Sequence, residues 1–169
     1  MGRDWPSGIW RVASPGDLWI LGQPALDAAG NLYVPDEFNN GVLKLSPDGQ
    51  LLARFGVGPD VSPEPGQFHN PNAVAVDQAG NVYVAERYNW RVQKLGPDGS
   101  FIEQWRNCLD GPECLFPANG EEPGQFFNAT GLVADGQGNL YVADSGNMRV
   151  QRLMAYPVLI PEEERPPAP

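Results

Sequence analysis

Three carboxylates, Asp36, Glu86 and Asp144, stand at matching places along the chain. Each is followed by an asparagine (Asn39, Asn89, Asn147), and the last two also by an arginine (Arg91, Arg149). Carboxylates so placed could serve acid–base catalysis, hold a metal, or ion-pair with the arginine across a hairpin. Catalytic groups are normally unique, whereas this arrangement recurs along the chain. The recurrence therefore points to cross-hairpin ion pairs, with the asparagines shaping the turns by bonding backbone groups. Asp27, Asp77 and Asp135 recur in the same way and are read as turn residues.

The residues that do not recur are the better candidates for binding. Arg87-Tyr88-Asn89-Trp90 combines the three side-chain types most enriched in binding hot spots. The alternative for Tyr88 and Trp90 is packing between neighbouring repeat units. His69 and Asn72, and further on Ser145 and Met148, fall in equivalent connecting segments, together with Phe38, Asn39, Asn40, Asn70 and Asn128. Cys108 and Cys114 are the only cysteines and share one loop. The Gly-Pro bend between them would allow a disulfide, which suits an oxidising compartment; free thiols in a mobile loop are the alternative. Two cysteines alone fall short of the four ligands of a structural zinc site. Asn128-Ala129-Thr130 has the form of a glycosylation acceptor.

These residues are positioned by an internal repeat. Asp27-Ala28-Ala29-Gly30-Asn31-Leu32-Tyr33-Val34 returns as Asp77-Gln78-Ala79-Gly80-Asn81-Val82-Tyr83-Val84. It returns again as Asp135-Gly136-Gln137-Gly138-Asn139-Leu140-Tyr141-Val142, at spacings of 50 and then 58. Apolar-alternating runs follow each copy: Val42–Leu45, Arg91–Leu95 and Arg149–Leu153. The first two lead into Pro-Asp-Gly turns at 47–49 and 97–99, and Pro-Gly-Gln-Phe occurs at 65–68 and 123–126. Each unit gives four short β-rich runs, a to d; in the second these are Ala73–Val76, Asn81–Ala85, Arg91–Leu95 and Ser100–Trp105. Gly-Asn and Asp-Gly suit tight turns because both residue types tolerate positive φ. A four-stranded meander in tandem reads as a propeller blade, so the expected fold is an all-β propeller of antiparallel blades. Alternating strand direction puts the b–c and d–a loops on one face and the short a–b and c–d turns on the other. The longer, more variable loops of the first face are where binding is expected.

Pro71-Asn72-Ala73-Val74-Ala75-Val76-Asp77, Gly80–Glu86, Asn89–Leu95 and Gly124-Gln125-Phe126 resemble the NHL repeat, over roughly residues 22–154. The resemblance implies a six-bladed ring and a platform for protein, peptide, glycan or other ligand binding, without fixing which. A metal-dependent alternative, similar to peptidyl-α-hydroxyglycine α-amidating lyase or a sugar-lactone hydrolase, would bring zinc or calcium. The lyase-type site needs several histidines and the chain has one, so no catalytic residue is assigned and no cofactor is expected outside that alternative. Three repeats are half of six. The expected organisation is a partial blade at 1–21, with Asp17–Leu21 as a strand d. Blades follow at 22–70 and 71–128, the latter with the cysteine insertion at 107–114. An incomplete blade at 129–160 precedes a disordered Pro/Glu tail at 161–169. Two explanations remain for the open ring: truncation of a longer propeller, which the half-blade favours, or a homodimer completing six blades.

Composition agrees. Gly and Pro number 20 and 18, which suits a turn-rich β fold. A net charge of −10 disfavours nucleic acid as partner, including the RNA-binding kind of NHL domain. No apolar run approaches the ~18 residues of a membrane span. The N-terminus has no signal-peptide core, and only the cysteine pair leans toward an extracytoplasmic location.

Overall fold

The structure, a computed structural model, describes residues 21–56, 62–108 and 117–154. Among these residues twelve strands form three antiparallel sheets. The first blade holds β1 (Ala25–Leu26), β2 (Leu32–Asp36), β3 (Gly41–Leu45) and β4 (Leu51–Phe55). The second holds β5 (Pro71–Val76), β6 (Val82–Glu86), β7 (Arg91–Leu95), β8 (Phe101–Cys108) and the short β9 (Pro117–Ala118). The third holds β10 (Ala129–Ala134), β11 (Asn139–Asp144) and β12 (Arg149–Met154), with a 3-10 turn at Ser145–Asn147. Within each sheet the strands pair in chain order, as a meander requires. Leu21, expected to close a strand d, instead bridges Asp36 as Pro71 pairs with Glu86 and Ala129 with Asp144. It thus opens the inner strand of the first blade. The remaining expected elements at 1–20 and the tail at 161–169 lie outside the described residues.

The a–b turns work as the sequence suggests. Asp77 accepts from the backbone N–H groups of Ala79 and Asn81, from the Asn81 amide and from the Tyr83 hydroxyl. Asp27 and Asp135 do the same for their own turns. Gly30, Gly80 and Gly138 take the positive φ that closes these turns.

Strand alternation gives each blade two apolar faces. Tyr33, Val42 and Phe55 of the first blade pack on Val74, Val82, Val84 and Leu95 of the second. Ala75, Tyr83 and Val92 of the second pack with Leu132, Leu140, Val142 and Leu153 of the third. The phenylalanines of the two Pro-Gly-Gln-Phe segments, Phe68 and Phe126, are buried in these two interfaces. Burying a large apolar side chain contributes about 1.5–3 kcal/mol, so the blades cohere chiefly through these inter-blade layers.

Candidate functional site

The recurring carboxylates are framework. Glu86 and Arg91 are cross-strand partners with side chains 0% exposed, joined at 2.5 Å. Glu86 also accepts from Asn89, Gln93 and the His69 backbone N–H. Arg91 donates onward to Gln104 and to the carbonyls of Pro63, Glu64 and Gln67. The pair therefore clamps the d–a loop to the blade. Asp144, Asn147, Arg149 and Gln151 repeat the device on the loop at 121–125. Burial would raise the Asp144 carboxyl's pKa, but donors from Phe127, Asn147, Arg149 and Gln151 together hold it below the usual value. In the first blade Gly41 stands where the others have arginine. Arg54, from β4, lies over it and donates to the Asn39 carbonyl at 2.8 Å.

Two sets of positions that differ from blade to blade meet in one place. A cleft of about 320 Å³ opens on the b–c and d–a face, lined by Gly22, Gln23, Glu37, Asn72, Arg87, Asn128 and Thr130, with Leu21 at its edge. Two mechanisms bring them there. The register of β5 on β6 skips between Pro71 and Ala73, and that of β10 on β11 between Ala129 and Gly131. The skipped residues are Asn72 and Thr130, and such bulges re-aim a side chain out of the sheet. Gly22 holds the same position in the first blade. A Cβ there would lie 2.3 Å from the Asn72 carbonyl oxygen, so glycine alone allows the two inner strands to approach. That approach is fixed by Gln23 N–H donating to the Asn72 carbonyl at 2.9 Å. The Gln23 side chain reaches on to the backbone of Leu132, tying together the inner strands of all three blades. Glu37 and Arg87 each follow the clamp carboxylate of their blade. Ser145, at the same place in the third, hydrogen-bonds Thr130.

The cleft is polar and its charges are coupled. Burial raises the Glu37 carboxyl's pKa, opposed by the positive charge of Arg87 and a hydrogen bond with Asn70. The side-chain oxygens of Asn70, Asn72 and Asn128 are buried without a donor among the described residues.

Of the binding residues read from sequence, Asn72 and Arg87 line the cleft, and Ser145 touches it through Thr130. His69 and Tyr88 meet beside it at a tilt of 55° with ring centroids 4.9 Å apart, and the Arg87 guanidinium lies 5.8 Å from the Tyr88 centroid. Burial lowers the His69 pKa, against the charge of Glu86. Tyr88 is half exposed rather than packed between blades. Trp90 is partly buried and Met148 fully exposed, both in the left-handed region at φ 44° and 53°, outside the cleft. Cys114 and the side chain of Cys108 lie outside the described residues, so the disulfide does too. The base of their insertion is the two-residue β8–β9 ladder, Asn107 to Ala118 and Cys108 to Pro117. Sequence reading missed Glu37 and Thr130. Their signal was present, because Glu37/Arg87/Ser145 and Gly22/Asn72/Thr130 are aligned positions that differ where their neighbours repeat. Among the described residues, no three His, Cys, Asp or Glu side chains converge as a metal site would require. No helix among them is long and apolar enough to cross a membrane.

The antiparallel sheets are those of a β-propeller, and two segments of the chain match the NHL repeat. The NHL repeat family profile matches residues 68–95 and 127–153. No curated protein matches the sequence. Solved structures do. A protein of unknown function from Bacteroides thetaiotaomicron VPI-5482 aligns at TM-score 0.61 and 21% identity, over 83% of this chain and 37% of its own. An auxiliary nutrient binding protein from the same organism aligns at TM-score 0.60 and 14% identity, over 79% and 37%. Virginiamycin B lyase from Staphylococcus aureus, in a catalytically inactive form with quinupristin, aligns at TM-score 0.57 and 13% identity, over 86% and 41%. At these identities the likeness is one of fold, and this chain spans about two fifths or less of each structure's length.

Proposed function

We propose that this propeller segment is a binding scaffold that takes a peptide or exposed protein loop at its b–c and d–a face, in the cleft between Glu37, Asn72, Arg87 and Thr130. One observation carries the reading: two sets of positions that vary among the repeats, Gly22/Asn72/Thr130 and Glu37/Arg87/Ser145, meet at one cleft, while the repeated carboxylates and arginines hold the blades. A rigid sheet presenting variable loop residues is the usual construction of a binding surface. Arg87 supplies a fixed cation for a carboxylate or carbonyl, and Glu37 an acceptor for an amide or ammonium. The exposed Tyr88 ring, set at 55° to His69, adds an aromatic surface for an apolar side chain. Selection of a displayed random-peptide library on the full chain tests this. Enriched peptides should bind the wild type and lose at least roughly tenfold in affinity with Arg87→Ala, as expected for a charge-assisted contact. A library that yields no binder, alongside a glycan array that does, would transfer the site to a glycan. Peptides that bind Arg87→Ala and Asn72→Ala as well as wild type would remove the cleft from the function.

A further inference from the structure

Two opposite charges face the cleft without meeting. Glu37 and Arg87 both line it, and the positive charge of Arg87 acts on the Glu37 carboxyl. Yet the ion pairs among the described residues are Lys44–Asp27, Arg91–Glu86 and Arg149–Asp144, and neither cleft charge belongs to one. Each is anchored on its own wall instead. Asn70 bonds the Glu37 side chain, and its amide also donates to the Glu37 carbonyl at 3.3 Å. The Arg87 guanidinium lies over the Tyr88 ring, 5.8 Å from its centroid, and that ring rests against His69. The two anchors stand on different blades, since Glu37 follows β2 and Arg87 follows β6. Their spacing therefore has a rigid base, the close approach of the two blades at Gly22, Gln23 and Asn72.

We propose that the cleft selects a dipolar ligand, one that carries an ammonium or guanidinium for Glu37 and, close to it, a carboxylate for Arg87. The inference rests on the peptide reading above and narrows it. The two charges can come from neighbouring basic and acidic side chains of one segment, or from the two free ends of a very short peptide. The chemistry at the cleft is the same in both cases. Glu37 accepts only and Arg87 donates only, so together they satisfy both signs of such a ligand. A ligand with a cation alone sets it near Arg87, and one with an anion alone sets it near Glu37. Like charges so placed lower affinity, which makes the pair a device for specificity. The cleft, at about 320 Å³, lies at the small end of ligand sites and suits two charged groups rather than a long segment.

Titration of the full, isotope-labelled chain, followed by its amide shifts, tests the inference with a small set of probes. Four are end-blocked hexapeptides of alanine and glycine: with adjacent lysine and aspartate, with lysine alone, with aspartate alone, and with neither. The fifth is alanyl-alanine with free ends. The lysine–aspartate peptide should bind at least roughly tenfold more tightly than either singly charged one. Glu37→Gln should weaken that peptide about tenfold and leave the aspartate-only peptide no weaker, and Arg87→Gln should do the mirror image with the lysine-only peptide. Neither side chain belongs to a packed inter-blade layer, so the unfolding midpoints of both variants should stay close to wild type. Binding of alanyl-alanine supports the inference with free ends as the source of the dipole. Binding of the blocked lysine–aspartate peptide without it supports side chains as the source. Singly charged or uncharged peptides that bind as tightly as the dipolar one overturn the inference and leave the peptide reading standing. A set in which no probe moves the cleft amides overturns it as well, and the library selection then decides separately whether the peptide reading survives.

Discussion

Arg91→Met isolates the framework half of the account. The wild-type guanidinium is fully buried, bonded to Glu86 at 2.5 Å and donating to Gln104 and the carbonyls of Pro63, Glu64 and Gln67. Methionine roughly fills the volume but leaves the Glu86 charge buried without its counter-ion and takes the Arg91 donor from three carbonyls, of which Gln67 keeps the Gln93 amide and Glu64 the Gln67 N–H. Breaking one side of a buried pair costs about 3–5 kcal/mol. The third blade provides an internal control. Arg149 makes the corresponding contacts, yet its side chain is 30% exposed. Water can replace its lost bonds, so Arg149→Met should cost about 1 kcal/mol. With a urea dependence of roughly 2 kcal/mol/M, the midpoint should fall by about 1.5–2.5 M for Arg91→Met and about 0.5 M for Arg149→Met. Tryptophan fluorescence and far-UV circular dichroism would follow the transition. Adding Glu86→Leu to Arg91→Met should recover part of the loss, because the orphaned charge goes with it. Equal losses at the two arginines, or a loss under about 1 kcal/mol for Arg91→Met, would refute burial of the clamp as its source of stability.

Two further perturbations follow from local geometry. Gly22→Ala drives a Cβ to 2.3 Å from the Asn72 carbonyl, whereas Gly66 has nothing within 4 Å and only its φ of +78° to satisfy. Thermal unfolding should therefore show roughly 2–3 kcal/mol lost for Gly22→Ala but about 1 kcal/mol for Gly66→Ala. The His69 pKa is depressed below 6.5 by burial, so the unfolded chain binds its proton first as pH falls. Its contribution to stability is complete above pH 6.5, declines as pH drops below that value, and levels off beneath the folded-state pKa. His69→Gln should flatten that part of the urea-midpoint profile between about pH 8 and pH 5, and an unchanged profile would contradict the assignment.

The framework was legible in the sequence because its partners are close along the chain. The Asp77–Asn81–Tyr83 turn and the Glu86–Arg91 pair each lie within a single hairpin, so repetition and strand alternation sufficed to pair them. The cleft was only half legible. Arg87 and Asn72 stood out by type and by loop, but what brings them together is a strand bulge and the close approach of Gly22 to a neighbouring blade. Neither leaves a pattern of period two. Trp90 drew notice as an aromatic, yet it occupies a turn position shared with Asn40 and Met148, where backbone conformation rather than a ligand sets the requirement. Leu21 was misplaced by one strand because its pairing with Asp36 depends on register, which a short apolar run alone cannot show.

The claim that repeated positions hold the blades while the unrepeated ones bind is tested most directly by chemical-shift mapping. The full chain, isotope-labelled, would be titrated with the tightest peptide from the library selection. Amide shifts should concentrate at Gly22, Gln23, Glu37, Asn72, Arg87, Asn128 and Thr130. Shifts concentrated instead at the c–d turns around Gly49 and Gly99, or along the β4 edge, with the cleft residues unmoved, would contradict it.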